Sequence, residues 1–245
     1  MFEQVYSGFN EKDGPSAAIW ASMPQEVMHN PNVGYGLFDD FVTMPMSGTI
    51  TTTISMPGGM VAFGSAGATI TPDDALGGGI VLSETTDDES VAITYEQHPF
   101  WISQDYGMLC FEARIKASHT ATTESAIFCG LMDTTALAAA VPLTATAGAL
   151  ADANLVGWHK LDTDLTSLKS VYKANGVTAV TVETCTLAIT AATYVKLGFK
   201  FDPRDNYLRF YIDGEEQDEK KLIPNATGTD FPADIGLAPC LAMHL

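Results

Sequence analysis

The chain has 245 residues, 46% of them hydrophobic, and sets 30 Asp and Glu against 12 Lys and Arg for a formal net charge of −18. That length and apolar content can build a substantial core without metals or disulfides, and no run of about 18 apolar residues offers a membrane span. A field of this sign repels phosphate backbones, which argues against nucleic acid as a partner.

The charge is uneven. Residues 1–113 hold 15 acidic residues and a single basic one, Lys12, a balance of −14, while the remainder carries −4. The opening MFEQVYSGFNEKDG has neither a basic n-region nor an apolar stretch, so we expect no signal peptide and synthesis in a cytoplasm. Residues 1–36 mix Pro, Gly and isolated large apolar side chains without a sustained period. They read as an arm packed on the body or on a neighbour.

From residue 37 onward the signals are those of strands. Short runs such as TITTTISM, GMVAFGSAG, ESVAITYEQ, GMLCFEARIKAS, SAIFCGLMD, NLVGWHKLD and YVKLGFKFD are rich in Val, Ile, Thr, Phe and Tyr. Turn residues separate them, among them Pro57-Gly58-Gly59, Asn175-Gly176 and Asp213-Gly214. Asn175-Gly176 predicts a two-residue hairpin, because both positions tolerate positive φ. About a dozen such strands predict an all-β, antiparallel sandwich over 37–245. Residues 134–155 are rich in Ala and Thr and nearly free of charge. A loop this apolar is expected to pack against something.

The four cysteines, Cys110, Cys129, Cys185 and Cys240, have no paired spacing and are expected as buried free thiols. The histidines, His29, His98, His119, His159 and His244, form no metal motif. No nucleophile elbow or phosphate-binding loop occurs either. We expect no cofactor and no metal; DDES at 87–90 lacks the remaining oxygen ligands of a calcium loop.

The most informative stretch is YVKLGFKFDPRDNYLRFYIDGEE. Val195, Leu197, Phe199 and Phe201 alternate with polar or small residues, and Leu208, Phe210 and Ile212 do the same after a Pro-containing turn. This hairpin resembles that of concanavalin A-like lectin/glucanase domains. YGMLCFEARIKAS resembles a strand of the laminarinase-type glucanases in that superfamily, and SAIFCGLMD falls where those enzymes have their next strand. The resemblance implies a concanavalin A-like jelly roll for residues 37–245. Such sandwiches usually end with a strand running back beside the first, so the final GLAPCLAMHL is expected at an incomplete sheet edge, which invites pairing with another copy.

The resemblance also implies where catalytic acids should lie. Retaining hydrolysis needs two carboxyl groups about 5 Å apart, and the glucanases supply them as Glu-x-Asp-x-(x)-Glu soon after the SAIFCGLMD position. Here that region contains one acid, Asp152, and no Glu. Asp162 and Asp164 lack a third acid, and Glu216 and Asp218 read as solvated charge. Glu112, beside Arg114 and Lys116, reads as an exposed strand face. The expectation is a glucanase-like fold without glucanase chemistry, and no enzyme.

Two binding roles remain. AIWASMPQEVMHNPNVGYGLFDDF resembles the start of certain tailed-bacteriophage virion proteins, through Trp20, Pro24, Pro31, Gly34, Gly36, Phe38, Asp39, Asp40 and Phe41. The resemblance implies a non-enzymatic capsid decoration (cement) protein on the outer surface of the virion head. It would be assembled in the host cytoplasm, with the major capsid protein and itself as partners in a homo-oligomer, by analogy a trimer. The expected contacts are Phe2, Phe9, Trp20, Met23, Met28, Leu143 and Leu150. The alternative is a lectin-like module of a head fibre or tail adhesin that binds host-surface glycans. Its candidate aromatics are Trp101, Trp158 and Tyr172, with Trp101 favoured; against this, Phe100 and Trp101 could simply cap the core.

Overall fold

A computed structural model describes residues 14–28, 30, 32–39, 41, 47–65, 67–73, 78–85, 89–117, 125–133, 142–144, 148–164, 167–177, 180–222 and 230–245; for residues 25, 28, 180–184 and 219 the description is of the backbone alone. The described arm holds one helical turn, α1 (Ala17–Trp20), and a 3-10 turn at Gln25–Met28. Among the described residues everything else regular is strand, and every pairing between strands is antiparallel.

In chain order the strands are β1 (Gly48–Ile50), β2 (Ile54–Met56), β3 (Met60–Gly64), β4 (Ala68–Pro72), β5 (Ile80–Ser83), β6 (Ser90–Tyr95), β7 (Phe100–Trp101) and β8 (Leu109–Ile115). They continue as β9 (Ala126–Met132), β10 (Leu155–Lys160), β11 (Ser167–Lys173), β12 (Val180–Ala188), β13 (Val195–Asp202), β14 (Tyr207–Ile212), β15 (Glu215–Leu222) and β16 (Gly236–His244). A large sheet runs β12-β11-β10-β9-β16-β6-β3-β2, with β7 paired to the start of β16. A four-stranded sheet runs β15-β14-β13-β8, and a three-stranded one β1-β4-β5.

The two small sheets cover one face of the large one. Under the four-stranded sheet, Val156, Trp158, Leu168 and Tyr172 meet Leu197, Phe199, Phe201, Leu208 and Phe210 in the main core. Phe111 stacks on Phe199 at 4.8 Å, and Trp158 stands edge-on to Phe210 at 5.7 Å. Under the three-stranded sheet, Ile50, Ala68 and Ile70 meet Met60, Ala62, Val91 and Ile93. The molecule is thus the antiparallel β-sandwich expected from the strand pattern, and the 195–212 hairpin pairs Phe199 with Phe210 as alternation requires.

Three expectations need correction. First, β16 is no edge: it lies between β9 and β6, because its small outward residues Cys240 and Ala242 fit the crowded centre of the sheet. Second, the β11–β12 hairpin pairs first at Tyr172↔Val180, so its loop is wider than Asn175-Gly176, and of those two only Gly176 has positive φ. Third, in the described residues of the apolar loop before β10, Leu143 is turned inward and not toward a partner. Leu143 is 3% exposed, and with Leu150 and Ala153 it packs on Phe128, Leu155 and Val171, on the face of the large sheet that the small sheets leave open. The four cysteines are free and buried, and burial pushes the Cys110 and Cys129 thiols up to about 12. Among the described residues no helix is long and apolar enough to cross a membrane.

Candidate binding site

The segment EQHPFWISQDYGM leaves β6 and turns along one rim of the large sheet. Strand alternation sorts its side chains. Phe100 points to the main core, Trp101 points out, and Ile102 is fully buried. Two devices fix this short strand. Gly236, paired with Trp101, has no side chain; a Cβ there would stand 2.7 Å from the His98 carbonyl oxygen and 3.5 Å from Trp101 Nε1. Ser103 then accepts the Asp105 amide at its hydroxyl (3.2 Å), which turns the chain so that Tyr106 comes back beside Trp101.

The result is an exposed aromatic shelf. Trp101 is 39% exposed and Tyr106 57%, with ring centroids 5.6 Å apart and planes tilted by 58°. From the arm, Tyr35, also 57% exposed, stands edge-on to Phe100 at 5.5 Å. Rings held this way present flat apolar faces at little cost in side-chain freedom. Polar groups flank them in sequence, with Gln104 and Asp105 in the turn. Burial holds His98 below its usual range, against the opposing pull of Asp133, so its imidazole is neutral at pH 7.

The other two aromatic candidates are not available. Trp158 is fully buried, and Tyr172, 2% exposed, lies under Phe231. A run of strand-like residues announces that an aromatic is in a sheet, not which face it takes; Trp101 is distinguished only by lying next to inward Phe100.

The contact residues expected for a decoration role are dispersed. Trp20 and Met23 pack on the chain's own Ile19, Cys110 and Tyr211, and Leu143 and Leu150 lie inward as described. Phe2, Phe9 and the side chain of Met28 lie outside the described residues, as do Asp87 and Asp88.

Glu112 is not a solvated strand residue either. Its Oε2 accepts the Ser16 amide (2.9 Å) and the Trp20 indole N–H (2.8 Å), so it ties the arm to β8. Its Oε1 is buried and without a hydrogen-bond partner among the described residues. No local pattern carries that role, because the partners lie 92 and 96 residues away.

The open face of the large sheet is poor in acidic side chains. Strands β3, β6, β9, β10, β11 and β16 contain no Asp or Glu at all. β10 offers His159 to that face instead, while Lys160 lies on the opposite one, beside Ile127. His159 Nε2 donates to the Gly148 carbonyl (2.9 Å), while buried Lys160 donates to the carbonyl oxygens of Ser125 and Leu161. Across the sheet His244 Nδ1 shares a hydrogen bond with Ser90 Oγ (2.9 Å). Elsewhere Asp164 is paired with Lys169 at 2.8 Å and Glu216 with Arg209 at 3.2 Å. Among the described residues no three His, Cys, Asp or Glu side chains gather in a metal-binding group.

No family model and no curated protein matches the chain. Solved structures do resemble it at low identity. A Bacillus licheniformis beta-glucanase is 14% identical over 84% of this chain and 77% of its own, with a TM-score of 0.39. An endo-acting O-glycanase structure from human gut microbiota is 9% identical over 81% and 70%, with a TM-score of 0.46. A carbohydrate esterase from Shiga toxin-encoding bacteriophage phi24B is 16% identical over 76% and 88%, with a TM-score of 0.40. Likeness at this level carries neither an activity nor a ligand to this chain, whose sandwich stands on its own strand pairing.

Proposed function

We propose that the chain is a non-catalytic binding protein whose sandwich presents Trp101 and Tyr106 as a stacking platform for carbohydrate. The carrying observation is the pair itself: two large aromatic rings, both substantially exposed, held against each other on a rim where the adjacent residues Phe100 and Ile102 are anchored in the core. Exposed aromatic area of this kind usually marks a recognition surface. A pyranose ring offers C–H groups to the ring faces and hydroxyls to flanking polar groups such as Gln104 and Asp105. Within the strands of the large sheet β12 holds the one carboxylate, Glu183, so these strands offer no acid pair, which favours binding over turnover.

The test is a broad glycan array probed with the full chain and with Trp101→Ala and Tyr106→Ala. We expect a defined set of glycans bound by the wild type, weakened at least about tenfold in each variant, in keeping with about 1.4 kcal/mol or more per ring. Absence of any wild-type binding across the array would sink this reading.

A second reading is a decoration protein on a virion head. It is favoured by the arm residues Val33, Tyr35 and Phe38, exposed by 45%, 57% and 65% and thus offered to another surface. Its signature would be co-sedimentation with virus particles at a fixed, high ratio to the major capsid protein. Recovery only among free soluble proteins would remove it.

A further inference from the structure

Carboxylates border the shelf of Trp101 and Tyr106. Asp105 sits in the turn immediately before Tyr106, and both are exposed. Asp234, also exposed, donates its amide to the Ile102 carbonyl (3.2 Å), which brings its backbone against the residue next to Trp101. It stands two residues ahead of Gly236, the partner of Trp101 in the sheet. On the arm side, Asp39 follows Tyr35 by four residues and accepts from the Tyr95 hydroxyl (3.1 Å). Among the described residues Asp105 and Asp234 enter no ion pair.

The elements around the rings bring no basic side chain to offset these acids. β7 pairs with β16, which lies between β6 and β9. Residues 13–113, 117–159 and 222–245, which include all four strands, contain no Lys or Arg. The four-stranded sheet places Arg204 in its β13–β14 turn, beyond the Phe201↔Leu109 pair, but Asp202 already holds that guanidinium through both carboxylate oxygens. On their own Asp105 and Asp234 would be solvated charge. The exposed ring pair beside them offers a ligand a face, and the face of Trp or Tyr attracts a cation. A protonated amine there gains from ring and carboxylate together, while an anion is repelled.

The geometry points to a sugar carrying a free, protonated amine as the ligand this shelf prefers. The inference rests on the stacking reading of the same rim and narrows it. A neutral sugar uses the rings and their flanking hydrogen bonds; an amino sugar adds its charge against Asp105 and Asp234, and acidic sugars are disfavoured.

Three hexamers in the same linkage test it, built of glucosamine, N-acetylglucosamine and glucose, which differ only in the substituent on one ring carbon. They are titrated by calorimetry into the full chain at mildly acidic pH, where the free amines are protonated. We expect the glucosamine hexamer to bind at least about fivefold more tightly than either neutral one, by a margin that shrinks as salt is raised. Asp105→Asn and Asp234→Asn should each narrow the margin. Glu215→Gln, which removes one exposed charge at the end of the four-stranded sheet away from Leu109, should leave it intact. Equal binding of the three, or tighter binding of a neutral hexamer, overturns this inference and leaves the stacking platform standing. A margin that falls as far in Glu215→Gln as in the aspartate variants also overturns it, since the preference would then belong to the overall charge. Binding of none of the hexamers, with a silent glycan array, sinks both readings; binding of none with an array that returns other glycans sinks this one alone.

Discussion

Gly130 and Gly157 face each other across β9 and β10, and together they set how closely these strands approach. A Cβ on Gly157 would lie 2.4 Å from the Cys129 carbonyl oxygen and 2.6 Å from Gly130 Cα. Both are backbone atoms of a central strand, so no side chain can swing aside. Gly157→Ala should cost about 1–3 kcal/mol by forcing the pair apart. Gly107→Ala, with nothing within 4 Å and an ordinary φ, should stay within about 0.5 kcal/mol. Urea unfolding of both variants checks this, and equal losses would show that the close approach is not what Gly157 secures. This demand was invisible in the sequence. A glycine in an apolar run marks a possible close approach, and only the register reveals the second glycine opposite.

Residues 142–144 and 148–154 form a small cover over the open face of the large sheet. It is closed by the Leu143–Leu150 bridge, and Lys173 Nζ donates to its Ala151 carbonyl (3.0 Å). Gly148 is seated against Ala126 and His244, and its carbonyl accepts from His159 Nε2. Burial holds His159 below the usual histidine range, with Lys169 and Lys160 pressing in the same direction and the Gly148 carbonyl and Asp164 opposing. The folded state therefore binds this proton less readily than the unfolded chain. Its contribution to stability is full above the unfolded value of about 6.5 and is lost as pH falls below it toward the depressed folded value. We predict a melting temperature that declines between pH 7 and 5, and a shallower decline in His159→Gln. Parallel pH profiles for the two would mean that His159 titrates without consequence for the cover. At this scale the sequence was half legible. It announced that residues 134–155 are too apolar to stand in water, but an Ala/Thr-rich stretch has no period to say what it packs on. The 195–212 hairpin was legible throughout, since strict alternation with a turn between admits one buried face.

For the whole molecule, the strand count and turn spacing sufficed to give an antiparallel sandwich, yet not its order. β16 pairs with β9 and β6, more than a hundred residues earlier, and nothing local in GLAPCLAMHL separates a central strand from an edge. The same limit hid Glu112, whose neighbours in sequence suggested a solvated face while its partners came from the arm. Trp101 was legible only as one of three candidate aromatics; that it faces out while Phe100 faces in, and that Tyr106 and Tyr35 join it, required the fold. We propose that this rim binds carbohydrate. The chain has three tryptophans, and their environments separate them: Trp20 is tied to Glu112, Trp158 is buried with no hydrogen-bond partner for its indole N–H among the described residues, and Trp101 is exposed. Titrating the isotopically labelled protein with the strongest glycan from the array, while following the three indole N–H resonances by NMR, tests the claim most directly. We predict that the Trp101 signal shifts in proportion to occupancy while those of Trp20 and Trp158 hold still. A saturable shift at Trp20 or Trp158 with Trp101 unmoved would place the ligand elsewhere and contradict the account.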